Sequence, residues 1–180
     1  MSDINDILVR PINPETTSDL EGVASVIDTA FVEGDSWFKK PDCYHRCPNT
    51  QSIADILNEP TSSFLLAENS TTGEIVGALR VDWNDTTKVG HFGMLGVPAA
   101  NAGKGIGRKL VASMVEYLKE EKQQVKVSMP VVFTNNDRLV KWYEQQNFKC
   151  QGEKFPFPVP EIVLEEYKET IEMIQMTREL

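Results

Sequence analysis

The sequence predicts one α/β domain with a central, mostly antiparallel sheet flanked by about four helices. Apolar runs of strand composition alternate along the chain with segments whose apolar residues recur at helical spacing. A glycine-rich turn joins one of these strands to the longest helical pattern. The chain has 180 residues, which is enough for one well-filled core and short for two domains. We therefore expect residues 1–180 to form a single domain.

Strands are expected where apolar residues cluster between turn residues, at 7–12, 63–68, 74–83, 88–97, 125–133, 148–155 and 169–180. Pro11 has no backbone N–H to donate, which places the first strand near an edge. Helices are expected at 16–31, 52–59, 105–122 and 136–146. Residues 33–50 mix glycine, proline and aromatic residues without a period, which predicts an irregular loop. Residues 160–169 fit a short helix or a strand equally well.

Two of the predicted strands carry residues that disturb regular pairing. Strand 88–97 contains Gly90, Gly93 and Gly96, and strand 125–133 contains Pro130 in its middle. Glycine inside a strand marks a bulge or the close approach of another backbone, and proline cannot occupy a fully paired central strand. We therefore predict that the two strands run side by side at first and then splay apart.

The composition excludes several classes of function. Hydrophobic residues make up 41% and charged residues 25% of the chain, which is ordinary for a globular protein. The net charge of −9 and the absence of a basic stripe argue against binding to a nucleic acid backbone. A cationic small molecule would be attracted by this charge. The acidity is explained equally well as a means of solubility.

The cysteines predict neither a disulfide framework nor a metal site. Cys43, Cys47 and Cys150 are odd in number, the N-terminal residues lack an apolar signal core, and no run approaches the roughly 20 apolar residues of a membrane span. We expect a reducing compartment, cytoplasmic or also nuclear. The run CYHRC lacks a fourth ligand and has no common zinc spacing, so we interpret it as part of a loop.

The glycine-rich turn has the properties of an anion site. It contains Gly103, Gly105 and Gly107, with Lys104, Arg108 and Lys109 on the same rim, directly before the 105–122 helix. Backbone N–H groups at a helix start have no intrahelical partners, and glycine lets the backbone approach an anion closely. The spacing matches neither a P-loop nor a dinucleotide-binding fingerprint. A plain turn without a ligand is the alternative.

The turn resembles the acyl-CoA pyrophosphate loop of the GNAT superfamily of N-acetyltransferases. That pattern is a strand ending in L-x-V, followed by [QR]-x-x-G-x-[GA] and a helix. Here Leu95 and Val97 end the strand, and AGKGIG spans residues 102–107. Ala102 departs from the usual Gln or Arg. Because backbone N–H groups make most of the contacts in such a loop, we expect weaker rather than absent cofactor binding.

A second segment, residues 134–148, resembles the family's later signature N-x-x-A-x-x-L-Y-x-x-x-G-F. The residues in register are Asn136, Trp142, Tyr143 and Phe148. Leu139 replaces the usual alanine and Asn147 the usual glycine. Asparagine is the next-best residue for a left-handed helix stop, so the second replacement preserves the geometry. Two motifs in the right order are more specific than either motif alone.

The resemblance implies acetyl-CoA as co-substrate and no metal. Its pantetheine arm would lie in the gap between the splayed strands, on the backbone near Leu95 and Val97, with the backbone N–H near Val97 polarising the carbonyl. The diphosphate would bind the loop residues Ala102, Gly103, Lys104, Gly105, Gly107 and Arg108. Asn136 would help to hold the pantetheine arm, and its alternative role is that of a helix N-cap.

The resemblance also implies two catalytic residues. Tyr143 would protonate the departing CoA thiolate, and its alternative is a core aromatic residue of the helix. His91 lies on the strand that leads to the loop, in a register where family members often place a Glu or His base. Its alternative is a half-buried sheet histidine with a satisfied hydrogen bond. Asp82, Asp85 and Glu68 are the reserve candidates for the base.

We expect an N-acetyltransferase that moves an acetyl group to a primary amine of a small molecule, namely a polyamine, amino acid or amino sugar, by direct attack in a ternary complex. A protein lysine or N-terminal acetyltransferase is an alternative, and the Ala102 departure favours a third, a non-catalytic acyl-CoA-binding module. The acceptor site would be lined by residues 33–50 and 154–160. Their aromatic residues, Trp37, Phe38, Tyr44, Phe155 and Phe157, would serve as walls or equally as loop anchors. Family members often form homodimers through their last strands.

Overall fold

The computed structural model describes residues 4–34, 49–133, 138–158 and 163–180. Its seven strands form one open sheet in the order β1-β2-β3-β4-β5-β7-β6. The strands are β1 Ile7–Pro11, β2 Ser62–Asn69, β3 Ile75–Asp82, β4 Val89–Gly96, β5 Lys126–Phe133, β6 Lys149–Pro156 and β7 Glu172–Glu179. Only β4 and β5 pair in parallel, so the predicted, mostly antiparallel α/β sheet is confirmed.

The four helices in the described part of the chain agree with the predicted ones. They are α1 Thr17–Gly34, α2 Thr50–Leu57, α3 Ile106–Glu116 and α4 Arg138–Glu144. The helix predicted to run to residue 122 changes at Tyr117 into a π-helical turn, Tyr117–Glu121. There, the amide of Lys122 donates to the carbonyl of Tyr117 at 3.2 Å, an i→i+5 bond. Residues 165–167, where helix and strand were both open, form a 3-10 turn.

Helices cover both faces of the sheet. On one face α3 and α4 bury the larger core, which contains Leu79, Phe92, Leu110, Tyr143 and Phe148. On the other face α1 and α2 bury a smaller core around Ile27, Ile53, Phe64 and Ala78. The middle of β2 and β3 is buried on both faces, which explains why these strands read as continuous apolar runs. No helix in the described ranges is long and apolar enough to cross a membrane.

The predicted splay between β4 and β5 is present. The two strands pair only at Val89–Lys126 and Gly90–Val127. Beyond that point β5 continues with β7 alone, and Pro130 stands opposite Gln175. The rest of β4 therefore has no strand partner on its β5 side among the described residues. This opening lies directly before the glycine-rich turn.

A bulge in β4 changes which face its side chains occupy. The register with β3 shifts between Arg80, opposite Gly93, and Ala78, opposite Gly96. Met94 has φ = 50°, in the left-handed region. Before the bulge Phe92 faces the α3 and α4 core, whereas after it Leu95 and Val97 do. Gly96 then faces α1, where a Cβ would lie 3.2 Å from the Cα of Ile27.

Candidate active site

The glycine-rich turn leads into α3 through amides that have no acceptor within the helix. Gly103 and Gly105 have φ of 76° and 85°, conformations that residues with a Cβ rarely adopt. Gly105 is the N-cap residue of α3, and the first α-helical bond runs from the amide of Lys109 to the Gly105 carbonyl at 3.0 Å. The amides of residues 106–108 precede that bond and have no intrahelical acceptor. The turn therefore presents backbone donors at the positive end of a helix dipole.

The cations predicted for this rim have different roles. Lys104 Nζ donates to the carbonyl of Ala100 at 2.8 Å and to Asn101 Oδ1 at 2.9 Å, which braces the turn. Arg108 Nη2 lies 3.4 Å from Gln145 Oε1 and so links α3 to α4. The placement of Lys109 on the rim is wrong, since Lys109 Nζ donates to the carbonyl of Ile7 at 2.5 Å.

Helix α4 packs against the end of β4 and the first turn of α3. A Cβ on Gly107 would lie 3.5 Å from the Trp142 ring and 3.9 Å from Val97. Leu95 and Val97 also pack on the core beneath α3 and α4. The fold thus brings together three of the sequence-predicted regions: the strand end, the glycine-rich turn and the second motif.

Tyr143 is buried at the boundary between α4 and β4. Its ring lies 5.9 Å from that of Phe92, 4.8 Å from Trp142 and 5.8 Å from Phe148. Burial raises the pKa of the Tyr143 phenol above its ordinary value near 10, because the phenolate would lose its hydration. The hydroxyl therefore stays protonated at neutral pH and can act as a donor. Asn147, at φ = 65°, follows α4 in the left-handed conformation expected of it.

His91 lies on the opposite face of β4 from Tyr143. Its neighbour Phe92 contacts Tyr143, and successive side chains of a strand alternate between faces. His91 is exposed rather than half-buried, and its Nδ1 lies 2.8 Å from the carbonyl of Ser128 on β5. A carbonyl only accepts hydrogen bonds, so Nδ1 carries the hydrogen and Nε2 is left as an acceptor. His91 thus has a satisfied hydrogen bond and still offers a basic nitrogen.

The model of the acetyltransferase (GNAT) family matches residues 30–148 of this chain. This chain belongs to the GNAT family of acetyltransferases. The match spans both motifs, the splayed strands and the helices that flank them. Comparison with curated protein sequences gives no match.

Solved structures of GNAT proteins share the fold. A GNAT acetyltransferase from Streptococcus pneumoniae superposes with a TM-score of 0.73 at 18% identity, covering 97% of this chain and 99% of that one. A variant of spermidine N-acetyltransferase from Vibrio cholerae gives 0.72 at 13% identity, covering 97% and 94%. The Vibrio cholerae enzyme with CoA and spermine gives 0.71 at 14% identity, covering 97% and 96%. At these identities the likeness concerns the GNAT fold.

Of the reserve bases only Asp82 lies beside His91, directly opposite it on β3. Glu68 is bound to Arg10 Nε at 2.7 Å in an ion-pair network with α1. Asp85 lies exposed in a turn with Lys88 4.0 Å away. Arg80, which binds Asp82, is not among the residues predicted from the sequence, although the alternation in LRVD places both residues on one face.

Several predicted residues fall outside the described ranges of this GNAT chain. They are Asn136, Trp37, Phe38, Tyr44 and the CYHRC run. Phe155 is exposed on β6, whereas Phe157 packs with Val163 and Ile171 in a small separate cluster. That packing favours the loop-anchor interpretation for Phe157.

Proposed function

We propose that this GNAT protein moves the acetyl group of acetyl-CoA to a primary amine of a small molecule by direct attack in a ternary complex. One observation carries the proposal: the side chains of Tyr143, from α4, and His91, from β4, lie on opposite faces of β4 near the point where its pairing with β5 ends. Tyr143 offers a protonated hydroxyl on one face, and His91 offers a basic nitrogen on the other. A proton acceptor at His91 and a proton donor packed against Phe92 thus lie directly after Gly90, the last residue of β4 that pairs with β5.

The residues around the gap fit CoA. The backbone from Leu95 to Val97 lies beyond the last residue pair of β4 with β5 and offers groups on that side for an extended pantetheine arm, and the amides at the start of α3 suit a diphosphate. The loop residues in this role are Ala102, Gly103, Lys104, Gly105, Gly107 and Arg108, with Asn136 beside the pantetheine. Ala102 adds no polar side chain, so the backbone carries the interaction. When bound, acetyl-CoA supplies an acetyl group activated as a thioester.

His91 acts as the general base. A lysine-type amine with pKa near 10.4 is neutral in only about one molecule in a few thousand at pH 7, so it must lose a proton before it attacks. His91 Nε2 accepts that proton, directly or through a water molecule, while the Ser128 carbonyl holds Nδ1. A backbone N–H near Val97 polarises the carbonyl under attack. Tyr143 then donates its hydroxyl proton to the departing thiolate.

Two observations support a small amine as the acceptor. The structural neighbours include several structures of spermidine N-acetyltransferase from Vibrio cholerae, and one of these structures contains CoA and spermine. The chain itself has a net charge of −9, which attracts cations from solution. Polyamines, amino acids and amino sugars all carry the primary amine that the mechanism requires.

Thiol release from acetyl-CoA tests the proposal, with polyamines, amino acids, aminoglycosides and lysine-rich peptides as acceptors. We expect release with small amines and little with peptides. Release only with peptides or N-termini would instead establish a protein acetyltransferase. Calorimetric binding of CoA without release for any amine would establish a non-catalytic module.

Replacing His91 tests its role as general base separately from the binding of acetyl-CoA. We expect His91→Ala to lower kcat by about tenfold or more with little change in acetyl-CoA affinity. Wild-type kcat for a lysine-type amine between about pH 6 and 9 would remove His91 from the mechanism.

A further inference from the structure

A row of polar side chains crosses the sheet beside His91. Ser62 on β2 stands opposite Asp82 on β3, and Asp82 stands opposite His91 on β4. Residues directly opposite one another in antiparallel strands share a face of the sheet. Arg80 lies two residues before Asp82 on the same face. Ser62, Arg80 and Asp82 therefore lie with His91 on the face of the sheet that α1 and α2 cover.

Arg80 is held in place within this row. Its Nε and Nη2 donate to Asp82 Oδ1 at 2.9 Å and 2.8 Å, and the Ser62 hydroxyl donates to the same oxygen. The side chain of Arg80 is 31% exposed and that of Asp82 is 28% exposed. Arg80 Nη1 has no hydrogen-bond partner among the described residues. The guanidinium is thus oriented by one edge and open at its end.

Space for a ligand lies between Arg80 and His91. Gly93 stands opposite Arg80 and two residues from His91, on the same face of β4 before the bulge. No atom of the described residues lies within 4 Å of the position that a Cβ on Gly93 would occupy. Gly93 therefore forms an open floor on the face of the sheet that carries Arg80 and His91.

The charges of the row favour an anionic group on the ligand. Arg80 neutralises Asp82, so the pair offers no excess negative charge to a polycation. Arg80 Nη2 also lies 3.4 Å from the Ser62 hydroxyl oxygen, so the Nη1 donors remain for a charge-assisted hydrogen bond to a carboxylate. A ligand that bonds to the guanidinium and gives a proton to His91 therefore carries both a carboxylate and an amine.

We propose that the acceptor is an amino-acid-type molecule whose carboxylate binds Arg80 above Gly93 while its amine reaches His91. This inference rests on the proposed function and narrows its substrate class. Arg80 acts as a specificity-determining residue, and Asp82 and Ser62 position it. Acceptors that lack the carboxylate lose this charge-assisted contact.

The test compares each amino acid with its carboxamide in the thiol-release assay, with spermidine alongside. Removing the carboxylate makes the adjacent amine less basic, so a preference for the acid cannot come from a larger neutral fraction. We expect kcat/KM to favour the acid by about tenfold or more. In Arg80→Gln this preference should disappear, with unchanged calorimetric affinity for acetyl-CoA. Arg80→Lys, which keeps the charge but loses the planar fork, should retain only part of it.

Two further variants complete the test. One is a surface control for general effects of substitution, and the other fills the open space at Gly93. Lys168→Gln removes a surface cation paired with Glu165 and should leave the preference intact. Gly93→Val fills the floor and should raise KM for the amino acid while acetyl-CoA binding persists. Equal kcat/KM for acid and carboxamide in the wild type, or a preference unchanged in Arg80→Gln at a comparable melting temperature, would overturn the inference. Turnover of spermidine alone would overturn it too and leave the proposed function standing, whereas release with no amine would remove both.

Discussion

The ring and the hydroxyl of Tyr143 have separable roles. The ring packs against Phe92, Trp142 and Phe148 and belongs to the main core. The hydroxyl is the group that we propose as the proton donor, and burial keeps it protonated. The sequence left two interpretations open for Tyr143, a core aromatic residue and a proton donor. The first describes its ring, and the second is the role that we propose for its hydroxyl.

Removal of the hydroxyl alone tests this division. We expect Tyr143→Phe to lower kcat by well over tenfold, because the thiolate loses its proton donor, while the packing and the calorimetric affinity for acetyl-CoA change little. Tyr117→Phe is the matched control, since Tyr117 is also buried but lies on the π-helical turn beside Trp83. Equal kcat in Tyr143→Phe and wild type would show that another group donates the proton.

Asp19 anchors the start of α1 to β1. It is 3% exposed and accepts from Arg10 Nη1 at 2.7 Å, from Arg10 Nη2 at 2.8 Å and from the amide of Asn13 at 2.9 Å. Hydrogen bonds from Arg10 hold the pKa of the Asp19 carboxyl below its ordinary value, although burial opposes this shift. A carboxyl with a lowered folded-state pKa contributes stability above its ordinary pKa and loses it as the pH falls.

We expect Asp19→Asn to lower the free energy of unfolding by about 2 kcal/mol at pH 7, because it removes charge-assisted hydrogen bonds from a buried site. The difference from wild type should shrink as the pH falls below about 4, where the unfolded chain binds the proton. Urea unfolding at several pH values measures both the loss of unfolding free energy at pH 7 and its dependence on pH. Glu68→Gln, on the more exposed partner of Arg10, should cost less. A difference independent of pH would contradict the ionic role.

At the scale of elements, the start of α3 depends on backbone conformation more than on side chains. Ala102 adds no polar group, Lys104 braces the turn itself, and Gly105 supplies the left-handed N-cap. The diphosphate binding that we propose for this turn therefore depends on how the chain enters the helix. A substitution that alters this entry should weaken binding without removing a single side-chain contact.

Gly105→Ala and Gly73→Ala form a matched pair that tests whether the backbone conformation at the start of α3 determines acetyl-CoA binding. Gly105 has φ = 85° and Gly73, in the β2–β3 turn, has φ = 73°. A Cβ in this region costs roughly 1–2 kcal/mol at either position. We expect similar losses of stability but a loss of acetyl-CoA affinity only in Gly105→Ala, measured by calorimetry. Equal affinities in the two variants would place the diphosphate elsewhere.

At the scale of the whole molecule, the opening between β4 and β5 divides the sheet into two halves joined at only two residue pairs. A ligand in this gap touches both halves, so its binding should stabilise the fold as a unit. Acetyl-CoA at about 100 times its Kd should add about 2.7 kcal/mol to the free energy of unfolding, equivalent to a rise in Tm of roughly 5–10 °C. NAD, a dinucleotide with a diphosphate but no pantetheine arm, is the control. No shift with millimolar acetyl-CoA would remove the basis of the enzyme mechanism.

Association of two copies through the last strands remains a prediction. β7 lies inside the sheet between β5 and β6, and the residues of β6 are exposed at its edge. An edge of this kind has free backbone groups on its outer side.

The sequence predicted the features that depend on residues close to one another in the chain. Helical and strand periods located the elements, and glycine spacing located the turn before α3. The three glycines of strand 88–97 and Pro130 predicted the splay, because such residues limit regular backbone pairing within a strand. The predicted end of the third helix differs from the structure: α3 changes to a π-helical turn at Tyr117, where Leu118 packs against Gly90, a residue far away in the chain.

By itself, then, the sequence determined the α/β class, the order of elements, the opening in the sheet and the two motifs of the GNAT family. Tertiary structure alone decided that His91 bonds to Ser128 across the gap, that Lys109 turns to the N-terminal segment, and that Arg80 lies on the same face of the sheet as His91, opposite Gly93. Backbone periods and turn preferences act between residues close in the chain, so sequence spacing reveals them. Side-chain partners across strands depend on register and on the bulge at Met94, which only the folded sheet defines.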